Sequence, residues 1–203
     1  MYKGERFNSI SHLVGALFAL IGGAVLVTIA AIDGELAKIV SYSIYAATLF
    51  FLYLASTLYH SFPGRAKGVL RVFDHQAIYL LIAGSYTPYA MVALQGEVRW
   101  WWLGVIWSLA AIGMTLEAVR RNGTRVYSVI LYLLMGWACV FILDDFVNAL
   151  SEASLALLIA GGIFYTSGVI FFALDKKYPW CHGIWHLFVI AGSTCHYFSI
   201  LLL

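Results

Sequence analysis

The chain has 203 residues, of which 63% are hydrophobic and only 11% are charged, and its mean hydropathy is +0.88. A water-soluble domain carries about 25% charged residues, so this composition excludes a soluble fold and predicts that most of the surface faces lipid. The net charge of +2 gives no reason to expect a nucleic-acid partner. The three cysteines form no Cys-x-x-Cys pair, which argues against a disulfide framework.

Seven uncharged or nearly uncharged runs follow one another along the chain. A helix needs roughly 20 residues to cross about 30 Å of hydrocarbon, and the fourth and fifth runs reach that length only with flanking residues. The runs are 7–32, 39–64, 75–96, 100–116, 126–143, 153–174 and 178–203. They predict an all-α integral membrane protein with seven transmembrane helices. The short loops between them predict that residues 1–203 form a single bundle.

The basic residues are distributed unequally between the two sides of the predicted membrane. Ten fall on one side: Lys3, Arg6, Arg65, Lys67, Arg71, Arg120, Arg121, Arg125, Lys176 and Lys177. Only Lys38 and Arg99 fall on the other side. Because basic residues concentrate in cytoplasmic loops, the N-terminus is predicted to be cytoplasmic and the C-terminus, after seven crossings, to lie outside. The last run contains no lysine, which excludes a retinal-binding pump.

Three histidines are predicted to lie at one depth near the cytoplasmic side. His182 and His186 are four residues apart and share one face of a helix, a spacing that suits two ligands of one zinc ion. At 1.5 Å per residue they lie roughly 8 and 13 Å beyond Lys177, and His60 lies roughly 7 to 8 Å before Arg65. Burying several ionisable groups in a bilayer is costly, so their convergence implies mutual contact, water or a metal ion.

Other polar residues reach the same side of the membrane. Asp74 opens the third run and provides a carboxylate near the three imidazoles, and Ser56 lies one turn from His60. Glu5, Asn8 and His12 lie at the start of the first span, and we expect them to lie behind the ligands and support them. A network of polar residues that only holds the helices together is the alternative.

The remaining candidates are weaker. His196 lies about 21 Å along the helix from His182, so it is expected to pack or hydrogen-bond elsewhere. His75 follows Asp74 directly, and neighbours on a helix point about 100° apart, so we expect His75 to face away from the site. Cys181, beside His182, is a minor ligand candidate.

These residues resemble the three signature motifs of the progestin and adipoQ receptor family. The motifs are Glu5-x-x-Asn8-x-x-x-His12, Ser56-x-x-x-His60 followed by Asp74, and His182-x-x-x-His186. The short loops and the run from Asp74 to Tyr79 most resemble the bacterial hemolysin III branch, which implies a multi-pass protein of the bacterial inner membrane. One departure is that Asp74 follows His60 by fourteen residues, fewer than in the receptors.

The resemblance implies a zinc site. In the receptors the histidines that match His60, His182 and His186 bind zinc, and the aspartate that matches Asp74 contacts zinc-bound water. The serine that matches Ser56 lies next to that site. The family also resembles alkaline ceramidases, which share a serine, an aspartate and three histidines and cut a lipid amide.

The leading hypothesis is a zinc-dependent hydrolase that acts on an amide or ester bond of a membrane lipid. Three neutral ligands leave a fourth position for a reactive water. Asp74 is expected to take the proton of this water and return it to the leaving group, while Ser56 donates a hydrogen bond to the oxyanion or orients His60.

Two alternatives remain. The first is a non-enzymatic zinc-containing sensor or regulator, in which Asp74 is a fourth ligand that closes the site. The second, a pore-forming hemolysin, is disfavoured because no run carries a continuous polar stripe.

Overall fold

The computed structural model describes residues 1, 4–119 and 125–203, and these residues form helices and no strand. The helices are α1 (Arg6–Asp33), α2 (Leu36–Ser61), α3 (Arg65–Pro88), α4 (Gly96–Val119), α5 (Arg125–Gly136), α6 (Leu143–Ala149), α7 (Glu152–Leu174) and α8 (Trp180–Leu201). A π-helical turn, Tyr89–Ala93, extends α3. A 3₁₀ turn, Ala138–Ile142, joins α5 to α6, so these two short helices make up the predicted fifth crossing.

Within the described residues, six segments are long and apolar enough to span a membrane: α1, α2, α4, Val126–Ala149, α7 and α8. Helices α5 and α6 count as one segment, so together with α3 the bundle has seven helical segments. This confirms the prediction of an all-α, multi-pass membrane protein. Which end faces the cytoplasm stays a prediction. Of the basic residues behind it, Lys3, Arg120 and Arg121 lie outside the described part of the chain.

The third helix differs from the prediction at its start. It begins at Arg65 rather than at His75, so Arg65, Lys67 and Arg71 lie within its first two turns. Long basic side chains can extend from a helix end toward the headgroups, so a helix can continue past the end of its apolar stretch. Helix α3 ends at Pro88 and continues as the π-helical turn, because proline lacks a backbone N–H and disrupts the regular helical hydrogen bonds.

The helices pack as a closed ring. Helix α1 packs between α2 and α8, α2 packs against α3, and α3 against α4. On the opposite side α7 packs against α8, and α5 contacts α3, α4 and α7, which completes the ring. The N-terminal part of α8 and the C-terminal part of α2 therefore lie at the same end of the bundle, on either side of α1.

Two glycines allow α1 to come this close to its neighbours. A methyl group added at Gly15 would lie 2.8 Å from the Tyr53 ring of α2, and one at Gly183 would lie 2.7 Å from the Phe7 ring of α1. Both distances are too short for packed carbon atoms, so a larger residue would push the helices apart. This close packing carries the polar N-terminal turns of α1 up to the histidines of α2 and α8.

Candidate metal centre

Three imidazoles meet at one end of the bundle. His60 comes from the last turn of α2, and His182 and His186 from the first two turns of α8. The three ring centroids lie 4.9–5.0 Å from one another. One ligand nitrogen from each ring falls within 4.8 Å of the other two. We call these three residues the histidine cluster.

The closest approach within the histidine cluster has the spacing of a tetrahedral metal site. The Nε2 atoms of His60 and His182 are 3.2 Å apart. Two nitrogens that each lie 2.0–2.1 Å from a tetrahedral zinc ion are roughly 3.3–3.4 Å apart. The two rings therefore need little movement to share one ion.

Carboxylates orient two of the rings. The Nδ1 atom of His60 lies 2.6 Å from Oε2 of Glu5, and Nδ1 of His182 lies 2.9 Å from Oδ2 of Asp175. A carboxylate that accepts a hydrogen bond from Nδ1–H leaves the lone pair on Nε2, which is the arrangement of most metal-binding histidines. Both Nε2 atoms are those of the 3.2 Å contact.

The third ring follows the same pattern with a hydroxyl group. The Nδ1 atom of His186 lies 3.2 Å from Oγ of Ser11, and the His186 side chain is buried. Its Nε2 atom therefore remains for a ligand. All three rings thus engage protein partners through Nδ1, and the donor set fits zinc, which favours imidazole nitrogens in tetrahedral sites.

Glu5 connects the cluster to two further polar residues. Its Oε1 accepts a hydrogen bond from Nζ of Lys67 at 2.8 Å, and its Oε2 accepts one from Nδ2 of Asn8 at 2.9 Å. Burial alone raises the pKa of Glu5, but the hydrogen bonds from Lys67, Asn8 and His60 lower the pKa to about 2. The carboxylate is therefore ionised at neutral pH and accepts a hydrogen bond from Nδ1–H of His60.

His12 supports the cluster by stacking. Its ring lies against that of His186, with centroids 3.6 Å apart and an angle of 16° between the planes. On its other side it makes an edge contact with Tyr53 at 5.0 Å. The His12 side chain is 3% exposed, and neither ring nitrogen has a hydrogen-bond partner among the described residues. Two buried nitrogens are thus available to a ligand or a water.

A cavity of about 50 Å³ lies beside the cluster, enough for water or a small polar group. Its lining includes the polar residues His12, Ser56, Tyr59, Asp74, His75, Ser128, Tyr132, His182 and His186. The structure therefore places the predicted Asp74 and Ser56 beside the same space as two of the three histidines. Asp74 is not among the residues whose ligand atoms meet within 4.8 Å.

His196, Cys181 and His75 take no part in the histidine cluster. His196 lies outside the site and its Nε2 is 3.3 Å from the backbone oxygen of Leu158, in agreement with the prediction. Cys181 is buried, but it does not belong to the ligand group found in the described residues. His75 is turned toward α4, where its Nδ1 contacts Glu117, and it does not belong to the ligand group found in the described residues, as expected. It nevertheless borders the cavity together with Asp74, which was not expected.

Sequence reasoning missed Asp175, Ser11 and Glu117. Asp175 lies in the turn between α7 and α8, and Ser11 is adjacent to the predicted His12. Glu117 ends a run that was interpreted as a membrane span, and its carboxylate contacts His75. The only available signal was that each is a polar residue at the same predicted side of the membrane.

The chain is similar to several known proteins over almost its full length. The sequence profile of the haemolysin-III-related family matches residues 1–197. Over 200 residues the chain is 37% identical to Hemolysin-3 of Bacillus cereus (98% of this chain, 91% of the relative). It is 38% identical to the Hemolysin-3 homolog of Bacillus subtilis strain 168 (98% and 93%). Over 204 residues it is 30% identical to the human Monocyte to macrophage differentiation factor (95% and 81%).

Proposed function

The chain belongs to the haemolysin-III-related family of multi-pass membrane proteins, and we propose that it is a zinc-dependent hydrolase of an amide or ester bond in a membrane lipid. The observation that carries the proposal is the histidine cluster, in which all three Nδ1 atoms have protein partners and the Nε2 atoms are left for a metal ion. We further propose that the protein lies in the bacterial inner membrane.

His60, His182 and His186 would hold the zinc ion. Bound there, zinc supplies Lewis acidity, which polarises a substrate carbonyl and lowers the pKa of a water toward about 7. Glu5, Asp175 and Ser11 fix the orientation of the three rings, so little side-chain reorganisation accompanies binding.

Asp74 is the proposed proton carrier. Its side chain lines the cavity, and it lies outside the group of converging ligand atoms, so its carboxylate is left to act as a base. It takes one proton from the water whose oxygen forms the new bond to the acyl carbon. It then gives that proton to the nitrogen or oxygen that leaves as the acyl bond breaks, so the protein ends the cycle in its starting state.

Ser56 is the proposed donor to the substrate oxygen. The side chain is 3% exposed and lines the same cavity. A hydroxyl at this position donates a hydrogen bond to the carbonyl oxygen as negative charge develops on it. The small cavity suits the scissile group and the water, while the acyl chain lies between helices toward the lipid.

The second candidate is a non-enzymatic zinc-containing sensor or regulator. It is favoured because the histidine cluster contains residues of both α2 and α8, which lie on either side of α1. A bound ion would therefore link these two helices. The sensor requires Asp74 to bind the ion as a fourth ligand, and the ligand group of the described residues contains histidines alone.

Metal analysis followed by lipid turnover tests the proposal. Purified protein is expected to hold about one zinc per chain and to release fatty acid from an amide-linked or ester-linked lipid. His60→Ala and His186→Ala are expected to lose both zinc and turnover. Asp74→Asn is expected to keep zinc and lose turnover, whereas Asp145→Asn, an exposed carboxylate of α6, is the matched control that keeps both.

Two results would contradict the hydrolase. Zinc retained without product from a broad panel of amide and ester lipids would favour the sensor. Loss of zinc in Asp74→Asn would do the same, because it would make Asp74 a ligand.

A further inference from the structure

A second carboxylate–imidazole pair borders the cavity, apart from the histidine cluster. The Nδ1 atom of His75 on α3 lies 2.8 Å from Oε1 of Glu117 on α4. The two side chains are 18% and 20% exposed. His75 lines the cavity next to Asp74, while Glu117 lies behind it.

The pair is held in place by a third helix. The hydroxyl of Ser128 on α5 donates a short hydrogen bond to Oε2 of Glu117, so both carboxylate oxygens have partners. The hydroxyl of Tyr132, one turn further along α5, donates to the backbone oxygen of His75 at 3.0 Å. Helices α3, α4 and α5 therefore meet at this point, and neither side chain can turn without breaking a hydrogen bond.

This arrangement determines which nitrogen of His75 carries the proton. A carboxylate accepts hydrogen bonds only, so Nδ1 carries a proton, and in the neutral ring Nε2 keeps its lone pair. Among the described residues, the hydrogen bonds of the His75 ring involve Nδ1 alone. His75 and Asp74 border the cavity side by side, so Nε2 of a neutral His75 ring and the Asp74 carboxylate can act as acceptors there, beside the hydroxyl groups of Tyr59, Ser128 and Tyr132. Glu117 adds negative charge next to His75.

We propose that His75 is a specificity-determining residue, whose Nε2 accepts a hydrogen bond from a hydroxyl group in the lipid headgroup. The inference rests on the proposed hydrolase and deepens it by naming the substrate class: acyl amides or esters with a free hydroxyl close to the scissile bond. A phosphate headgroup attached there is disfavoured, because its negative charge would lie close to the carboxylates of Asp74 and Glu117.

A matched pair of lipids tests the preference. N-acyl ethanolamine has a hydroxyl two carbons from the amide nitrogen, and its O-methyl ether lacks only that donor. A site that hydrogen-bonds a substrate hydroxyl discriminates strongly against an analogue without it, so we expect wild-type kcat/KM to favour the alcohol by about tenfold or more. His75→Phe is expected to raise the KM for the alcohol and remove most of this preference, with zinc content unchanged.

Glu117→Gln provides the sharper variant. The amide can donate a hydrogen to Nδ1, so His75 can adopt the other tautomer and present an Nε2–H donor to the cavity. The preference should then move toward the ether. Glu97→Gln changes the same residue type at the other end of α4 and is expected to leave kcat/KM for both lipids unchanged.

A spectroscopic readout that needs no turnover accompanies the kinetics. In ¹⁵N-histidine-labelled protein without metal, with the signals of His75 assigned by their loss in His75→Phe, we expect the Nδ1–H tautomer at pH 7.5. Glu117→Gln is expected to change that tautomer.

The outcomes separate the two proposals. Equal kcat/KM for the alcohol and the ether, cleavage confined to phospholipids, or an Nε2–H or doubly protonated His75 overturns the inference and leaves the hydrolase standing. A wild-type protein that cleaves no lipid in the wider panel overturns the hydrolase, and with it the role assigned to His75.

Discussion

The ring of His12 lies parallel to the ring of His186, with 3.6 Å between their centroids. Because His186 is a proposed ligand, its orientation depends on this stacking contact as well as on the hydrogen bond with Ser11. The second helix also contributes, since Tyr53 contacts the opposite side of His12. The position of one ligand is thus set by packing among α1, α2 and α8.

Removing the stacked ring is expected to weaken metal binding. His12→Ala leaves an empty space beside His186, and loss of a residue that orients a ligand typically lowers metal affinity by about 10–100-fold. His12→Phe keeps a flat ring and is expected to retain most of the affinity. Competition with a chromogenic zinc chelator measures the zinc dissociation constant of each variant. An equal loss in the two variants would show that the nitrogens of His12 matter for zinc affinity and stacking does not.

The carboxylates that contact Nδ1 are expected to influence affinity in the same way. Asp175→Asn replaces the acceptor of His182 with an amide that can present either oxygen or nitrogen, and we expect zinc affinity to fall by about 10–100-fold. Asp33→Asn, at the other end of the bundle, is the control and should have wild-type affinity. Unchanged affinity in Asp175→Asn would mean that the hydrogen bond with His182 does not support the ligand.

Adding a methyl group at Gly183 is expected to destabilise the bundle. The added carbon would lie 2.7 Å from the ring of Phe7, and overpacking of this kind costs about 1–3 kcal/mol. Gly104→Ala adds the same group where no atom lies within 4 Å, so it should leave the melting temperature in detergent nearly unchanged. The double variant Gly183→Ala with Phe7→Ala should recover part of the loss. If the double variant is no more stable than Gly183→Ala, the strain does not come from the contact with Phe7.

The low pKa of Glu5 predicts that part of the folding stability is lost at acidic pH. Its pKa is about 2 in the folded protein, against an ordinary value of 4.5. Because the folded pKa is the lower one, ionised Glu5 stabilises the fold fully above pH 4.5, and this contribution is lost as the pH falls toward 2. The free energy of unfolding in detergent can be measured between pH 3 and 7 for the metal-free wild type and for Glu5→Gln. The difference between the two proteins should be largest at neutral pH. A difference in unfolding free energy that stays constant across this pH range would contradict the low pKa of Glu5.

Several features could be predicted from the sequence, for reasons that are local or compositional. The shortage of charged residues predicts a membrane protein, and the apolar runs locate most helices, because the requirement to hide the backbone from lipid acts on every segment. The three polar motifs, together with the short loops and the run from Asp74 to Tyr79, predict the hemolysin III relationship, which the comparisons confirm. Helical periodicity alone places His182 and His186 on one face.

Tertiary structure alone decides which side chains meet across helices. The partners of the three Nδ1 atoms come from α1 and from the turn before α8, and no spacing in the sequence relates Asp175 or Ser11 to a particular imidazole. The presence of His75 beside Asp74 on the cavity wall has the same origin. It depends on how neighbouring helices approach, and that distance is set by glycines and aromatic rings far apart in the chain.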